Sequence, residues 1–590
     1  MRINSLLIAG TVLAVAIPAL AQQSAQTPPG QPLPAPVPAP VSNTTNQTSP
    51  TQPSTLSSGP ADSEIGVQEI SSEQLAPPPP PVEYPGYARR DPWVVGALDP
   101  VPLGLGPNPW GAASGTFLST LMRRMDTPLA SRWAHIGLRN ALLAKVHAPR
   151  AVNPVDWAAE RAWLLLRLGE ADGARLIVSG VDADRFTPKM VQVGVQSALA
   201  NADPPALCPL EPGMRKSDPG IRPLVSAMCA SLAGEPESAA AQVDDARRHG
   251  RIGGIDLTLA EKVVGAGANT GRAVTIEWEP VDQLTAWRFG LATATGITIP
   301  DRLIRPASLQ LRAFQARAPL FSAEQRLPSA QIAAGLGVFS SQSMIDLYSA
   351  IYDSTDPSDL PQTDAWQVRQ AFVAKDRDAK VAAMRRLLDK AKDPLAHEAT
   401  RALLGRAASR IDPDAELEAD APELIAAMLA AGYDRAAARW IGVVRRMDGE
   451  PADRAWAMLA LSAQDPRGLD LGLSRVSGFI SRDKSPGKVR SALLVAGLAG
   501  LGRINVNSAQ SLSRRFGFGI GRQTSWTRMI DAAADRGQSG TVLVLTGTGF
   551  QTPSFADIPG SHLYHSVAGL MRTRQDFTAR MIAAEALART

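Results

Sequence analysis

A chain of 590 residues that is 45% hydrophobic and 20% charged is long and apolar enough to bury a large core, so neither a peptide-sized fold nor a wholly disordered chain is expected. Its 60 lysines and arginines against 56 aspartates and glutamates leave a formal net charge of only +4, with no long block of one sign. Aromatic residues make up 5% and do not interleave with basic ones, so a nucleic-acid partner is not expected.

Arg2, the apolar run Leu6 to Ile17 and the triplet Ala19-Leu20-Ala21 read as a secretory signal over residues 1–21, cleaved after Ala21. The run falls short of the roughly 20 apolar residues that span a bilayer, which disfavours retention as an anchor. The only cysteines, Cys208 and Cys229, lie far from the cleavage point, so lipid attachment there is not expected. No later stretch is long and apolar enough for stable membrane insertion, and the expected location is periplasmic or secreted. Residues 22–109 are rich in Pro, Ala, Ser and Thr, with an unbroken proline run from Pro77 to Pro81. Such a segment cannot build a core and reads as a disordered linker, either a semi-stiff tether or an exposed tail.

From 110 to 590 the apolar spacing is helical, in one or two sub-domains. Trp157 to Leu168 and the stretch from Ala171 form a first helix pair around Gly169, and Pro223 to Leu232 with the stretch from Pro236 form a second around Gly234. Cys208 and Cys229 are a lone pair behind a secretory signal, so a disulfide between them is expected, stapling a proline-rich loop to a helix. Thr363 caps a helix starting at Asp364, and Val381, Met384, Leu388 and Ala391 share one face of the next. Lys392-Asp393-Pro394 stops that helix, because proline lacks an amide donor and disfavours helical geometry before it. A further helix runs through His397 to Arg410. Asp420 and Pro422 open another, Gly432 closes it, and Tyr433, Ala437, Trp440, Val444 and Met447 mark one face of its partner. Thr541 to Thr546 is β-branched and apolar, but its helical neighbours, Thr527 to Asp535 and Arg574 to Ala588, favour a short buried helix.

Gly169, Gly234 and Gly432 each precede an alanine by five residues, Ala174, Ala239 and Ala437, and Val178, Val243 and Ile441 follow four later. This turn and second helix resemble those of tetratricopeptide-type repeats, although Arg161, Ser226 and Ile425 stand near positions where that family carries its aromatic and glycine pattern. The resemblance implies an all-α fold, an irregular α-solenoid of helix pairs.

Motifs that would carry chemistry are incomplete. His562 and His565 have a permissible metal spacing but lack a third ligand, and His397-Glu398 lacks the second histidine of a zinc protease motif. Ser481 to Lys484 and Ser485 to Lys488 match a serine-x-x-lysine pattern without its companion motifs. Gly265 to Gly267 and Gly547 to Gly549 do not complete a dinucleotide fingerprint. No catalytic residue, metal site or cofactor is therefore expected. The function expected is that of an exported helical-repeat scaffold binding a protein partner of the cell envelope, without catalysis of its own. The alternative is a cell-wall enzyme or regulator: the chain resembles the superhelical part of soluble lytic transglycosylases, whose catalytic Glu-Ser pair is matched only by Glu237-Ser238. N-terminal sequencing of exported protein should read Gln22 onward. A chain still beginning near Met1 and fractionating with membranes would overturn the signal reading.

Overall fold

The computed structural model describes residues 85–249, 252–268 and 275–590, so the signal segment, Ala21 and the proline run lie outside the described residues. Residues 85–89 hold a single 3-10 turn, Gly86–Ala88. Residues 90–590 form one unit built of helices, with no strand among the described residues and a lone parallel bridge between Leu98 and Ala144. The folded unit thus starts ahead of Trp110, the residue from which the helical pattern was read. Val95 and Leu105 are buried, and Gly540 and Thr541 both donate amides to the Pro109 carbonyl.

The helices that matter below are α1 (Gly115–Arg124), α2 (Arg132–Leu143), α3 (Pro154–Leu168), α4 (Ala171–Val178), α5 (Arg222–Leu232), α6 (Pro236–His249) and α7 (Ala323–Leu336). They continue with α8 (Arg377–Lys390), α9 (Pro394–Ala408), α10 (Ala421–Ala430), α11 (Gly449–Ser462), α12 (Val489–Gly500) and α13 (Val506–Phe516). Four more close the chain: α14 (Ser525–Asp535), α15 (Ser539–Gly549), α16 (Gly560–Arg572) and α17 (Asp576–Ala588).

The expected starts and stops follow from local chemistry. Asn153, Asp376 and Asp393 accept amides from the first turns of α3, α8 and α9, filling donors a helix start leaves open. Asp420 opens α10 differently, since its carboxylate is held by Arg385 at 2.8 Å and caps no amide. Gly432 leaves α10 at φ +84°, a conformation that costs other residues, so a β-branched side chain there would be strained. The alanine five residues beyond each turn glycine (Ala174, Ala239 and Ala437) is fully buried, which lets the second helix close on the first.

Two stretches refine the sequence reading. Thr541 to Thr546 lies inside α15, which is buried nearly all round. Such a helix shows no amphipathic period, hence its likeness to a strand. The face from Tyr433 to Met447 is carried by two short helices, Asp434–Ala438 and Ile441–Val444, rather than one. Between them Trp440 donates to Ala437 and Val443 to Trp440, a tighter i to i+3 winding that still buries Ala437, Trp440, Val444 and Met447.

Neighbouring helices pair α3 with α4, α5 with α6, and α9 with α10, and the end of the chain also returns to its start, because α2 packs against both α15 and α17. An open solenoid, whose units touch only their neighbours, would not make these contacts. Leu103 and Leu105 accept hydrogen bonds from Gln575 and Ser539 at 3.0 and 2.6 Å, and the Trp110 ring packs where a Cβ on Gly540 would stand.

At the centre of this closure lies the start of α2. Glu585 of α17 accepts from the Ser131 hydroxyl at 2.5 Å, the Arg132 amide at 2.8 Å and the Trp133 amide at 3.2 Å. Its carboxylate therefore occupies the electropositive helix start, where negative charge is favoured. The Arg132 side chain runs the other way, donating to the Ala334 carbonyl at 3.0 Å and the Ala430 carbonyl at 2.6 Å, in the last turns of α7 and α10. Cys208 and Cys229 stand with their sulfurs at bonding distance and Cα atoms 5.6 Å apart. A bond closing that 21-residue separation contributes about 3 kcal/mol by chain entropy.

Glu585→Ala should therefore destabilise the fold by roughly 3 kcal/mol, since it uncaps α2 and takes away the carboxylate that part-buried Arg589 meets at 2.8 Å. Glu585→Gln, which keeps an acceptor, should lose less. Urea denaturation followed by circular dichroism reads both, and equal midpoints for Ala, Gln and wild type would remove this carboxylate from the account.

Candidate functional site

A cleft of about 570 Å³ opens where α8, α9, α11, α12 and α17 converge. Pro394 starts α9 immediately after the break at Lys392-Asp393, so Lys392 stands exposed on the rim while His397, Glu398 and Arg401 descend one helix face behind it. That descent follows from the i, i+3 and i+4 neighbours of a helix. Arg454 enters from α11, Arg490 from α12 and Arg589 from the residue after α17.

The floor is an ordered charge network. Buried Arg401 makes a two-point contact with Glu423, Nε to Oε2 and Nη2 to Oε1, both at 2.9 Å, and its Nη1 caps the Ala588 carbonyl at 3.0 Å. Arg454 reaches the same carboxylate at 2.8 Å, and His397 Nε2 lies 3.5 Å from it. Burial disfavours the charged form of Glu423, but the His397 contact and the charges of Arg401 and Arg454 outweigh it and hold this carboxyl well below the usual range. Glu398 is 3% exposed and lies 3.7 Å from Arg401. Arg490 donates to the main-chain oxygen of Thr590 at 2.7 Å.

A second cavity of about 600 Å³ lies between α12, α14 and α16 and contains His565. Its Nδ1 is 2.9 Å from Asp531 Oδ2, though off the line of a good hydrogen bond, and Arg572 grips Asp531 and Asp535 at 2.6 Å each. His562 turns elsewhere: its Nδ1 lies 3.2 Å from the Gly549 carbonyl and its ring rests 4.4 Å from that of Trp526. Burial pulls its pKa down. The two histidines thus serve different neighbours, and among the described residues no group of three His, Cys, Asp or Glu side chains is placed to hold a metal ion.

The other motif residues have local roles. Ser481 back-bonds to the Ser477 carbonyl within its helix. Ser485 accepts the Arg490 amide, and Lys488 Nζ donates to the main-chain oxygens of Ile480 and Asp483, an arrangement that ties down a turn. Gly267 and Gly549 sit where a Cβ would meet Ser231 and Trp526, so they serve close packing. Glu237 is exposed in the first turn of α6. His397 and Glu398 alone among these motif residues line the cleft beside α9. Their partners Arg454, Arg490 and Arg589 have no spacing relation to them, and only a paired rise of Arg and Glu around 398–423 hints at the network.

No family model, no curated protein and no solved structure matches this chain.

Glu423 allows a test of the network. A carboxyl whose folded pKa is depressed adds stability that is complete above its unfolded pKa, near ~4.3, and is lost as pH falls through the folded value. Glu423→Gln should therefore be less stable than wild type at neutral pH, with the gap narrowing under increasingly acid conditions. Denaturation midpoints over a pH series measure it, and a gap independent of pH would exclude the charge as its source.

Proposed function

We propose that the chain is an exported helical scaffold of the cell envelope, that it binds an acidic segment of a protein partner in the cleft beside α9, and that it has no catalysis of its own. The observation carrying this reading is the charge of the cleft: Lys392, Arg401, Arg454, Arg490 and Arg589 face Asp389 and Glu398, with Glu423 behind. Cations outnumber carboxylates, and hydrogen bonds hold the deeper ones in place before any ligand arrives. Preorganised guanidinium groups suit carboxylate recognition, because their planar donors match two oxygens at little further entropy cost.

The rest of the chain is consistent with this role. A proline-rich segment ahead of the fold supplies reach from a point of attachment. Serine, histidine and carboxylate side chains of the incomplete motifs are spent on helix ends, turns and ion pairs rather than gathered around a reacting atom.

A photo-crosslinking residue at Lys392, compared with one at exposed Arg305 far along the chain, tests the site in intact cells. The expected result is one adduct specific to position 392, joined to an Asp- or Glu-rich peptide of the partner and weakened several-fold by Arg454→Glu. Equal adducts at both positions, or sustained turnover of peptidoglycan or peptide by the purified protein, would overturn the proposal.

A further inference from the structure

Between Lys484 and Ile530 the chain carries eight lysines and arginines and no aspartate or glutamate, a bias hidden by the near-neutral total. Four of these cations, Arg514, Arg515, Arg522 and Arg528, are exposed on one helical hairpin, α13 to α14. On α13 the exposed residues Asn507, Ser511, Arg514 and Arg515 follow the i, i+4, i+7, i+8 spacing of one outward face. On α14 Ser525, Arg528 and Met529 do the same, with Thr527 and Ile530 turned inward. The connecting loop that carries Arg522 is pinned, since the Ile520 amide donates to buried Ser513 at 3.0 Å.

Among the described residues none of the four arginines pairs with a carboxylate. Arg514 touches only Ser511, at 3.3 Å, and Arg515 lies over the Phe516 ring. Several cations elsewhere in the fold are engaged: Arg385 with Asp420, Arg572 with Asp531 and Asp535, Arg482 with Asp453. The nearest acids in sequence, Asp531 and Asp535, are taken by Arg572 and His565. Val506 and Met529, 40% and 38% exposed, add apolar surface to the same hairpin.

We propose that the α13–α14 hairpin is a peripheral docking surface for an anionic, phosphate-bearing lipid layer. Guanidinium groups match phosphate oxygens bidentately, and exposed apolar side chains beside them suit the boundary between headgroups and acyl chains. A single-stranded nucleic acid would need exposed aromatic faces. Here Phe516 and Phe518 stack on each other and Trp526 packs on His562. The contact is superficial, since no helix among the described residues is long and apolar enough to cross a membrane.

Vesicle flotation with phosphatidylcholine alone, and with phosphatidylglycerol added, tests this on the purified chain. The matched control is the quadruple variant Arg514→Gln, Arg515→Gln, Arg522→Gln, Arg528→Gln, so any contribution of the N-terminal segment cancels. Wild type should float with the anionic vesicles only and should detach as salt rises. The variant should bind at least about tenfold more weakly, each arginine accounting for roughly fivefold at most. Lys392→Gln in the cleft should float like wild type, which separates this surface from the partner site. Salt release of wild type decides the matter even if the variant folds poorly. Equal binding to neutral vesicles, salt-insensitive binding, a folded variant that binds as wild type does, or retention on duplex DNA or an acidic peptide but not on vesicles would each overturn the proposal.

Discussion

The start of α2 is the point on which the closure of this fold depends. A helix start exposes unpaired amides and a helix end exposes unpaired carbonyls, and burying either without a partner is costly. Here a carboxylate from the last helix fills the amides at the start of α2, while the first side chain of α2 fills carbonyls at two other helix ends. Glu585 and Arg132 thereby tie α2, α7, α10 and α17 together. Burial pulls the Arg132 pKa down, and the charges of Glu398 and Glu585 offset only part of that pull.

The same solution recurs through the molecule. Arg161 donates to the Leu142, Ala144 and Val95 carbonyls, Arg167 to the end of α1, Arg503 and Arg580 to the end of α11, and Arg401 to the end of α17. A long, many-donor cation reaches into the electronegative end of another helix, satisfying carbonyls that the terminating helix cannot. Burial lowers Arg161 and Arg503 to about 10, which still leaves both charged at neutral pH. The lattice of arginine caps orders the floor of the basic cleft: Arg401 holds α17 and Glu423 at once.

Helix boundaries were legible because their chemistry is local. Gly432, Asp393-Pro394 and Thr363 act on the residues beside them, and each did what its side chain or backbone freedom requires. The disulfide pair was legible because Cys208 and Cys229 had no other partner. The closure of α15 and α17 on α2 was not, since periodicity shows which face of a helix is buried and never which other face buries it. Nor were the buried arginines, which in a sequence look like ordinary solvated charges. Arg161 is instructive: it stands near a position where a tetratricopeptide-type repeat carries part of its aromatic and glycine pattern, and the structure gives it three carbonyls to satisfy instead. The cleft drew its residues from five helices, so its chemistry had no spacing to read.

The bond from Glu585 to Ser131 spans 454 positions. A ribosome delivers α2 long before it delivers the carboxylate that caps it, so the start of that helix stays electrostatically incomplete until Glu585 has been made. Local helix pairs such as α3 with α4 can form as they emerge, but the central joint waits for the final helix. The closure of the fold on α2 therefore has to follow the making of Glu585, 454 positions after the serine whose hydroxyl it accepts.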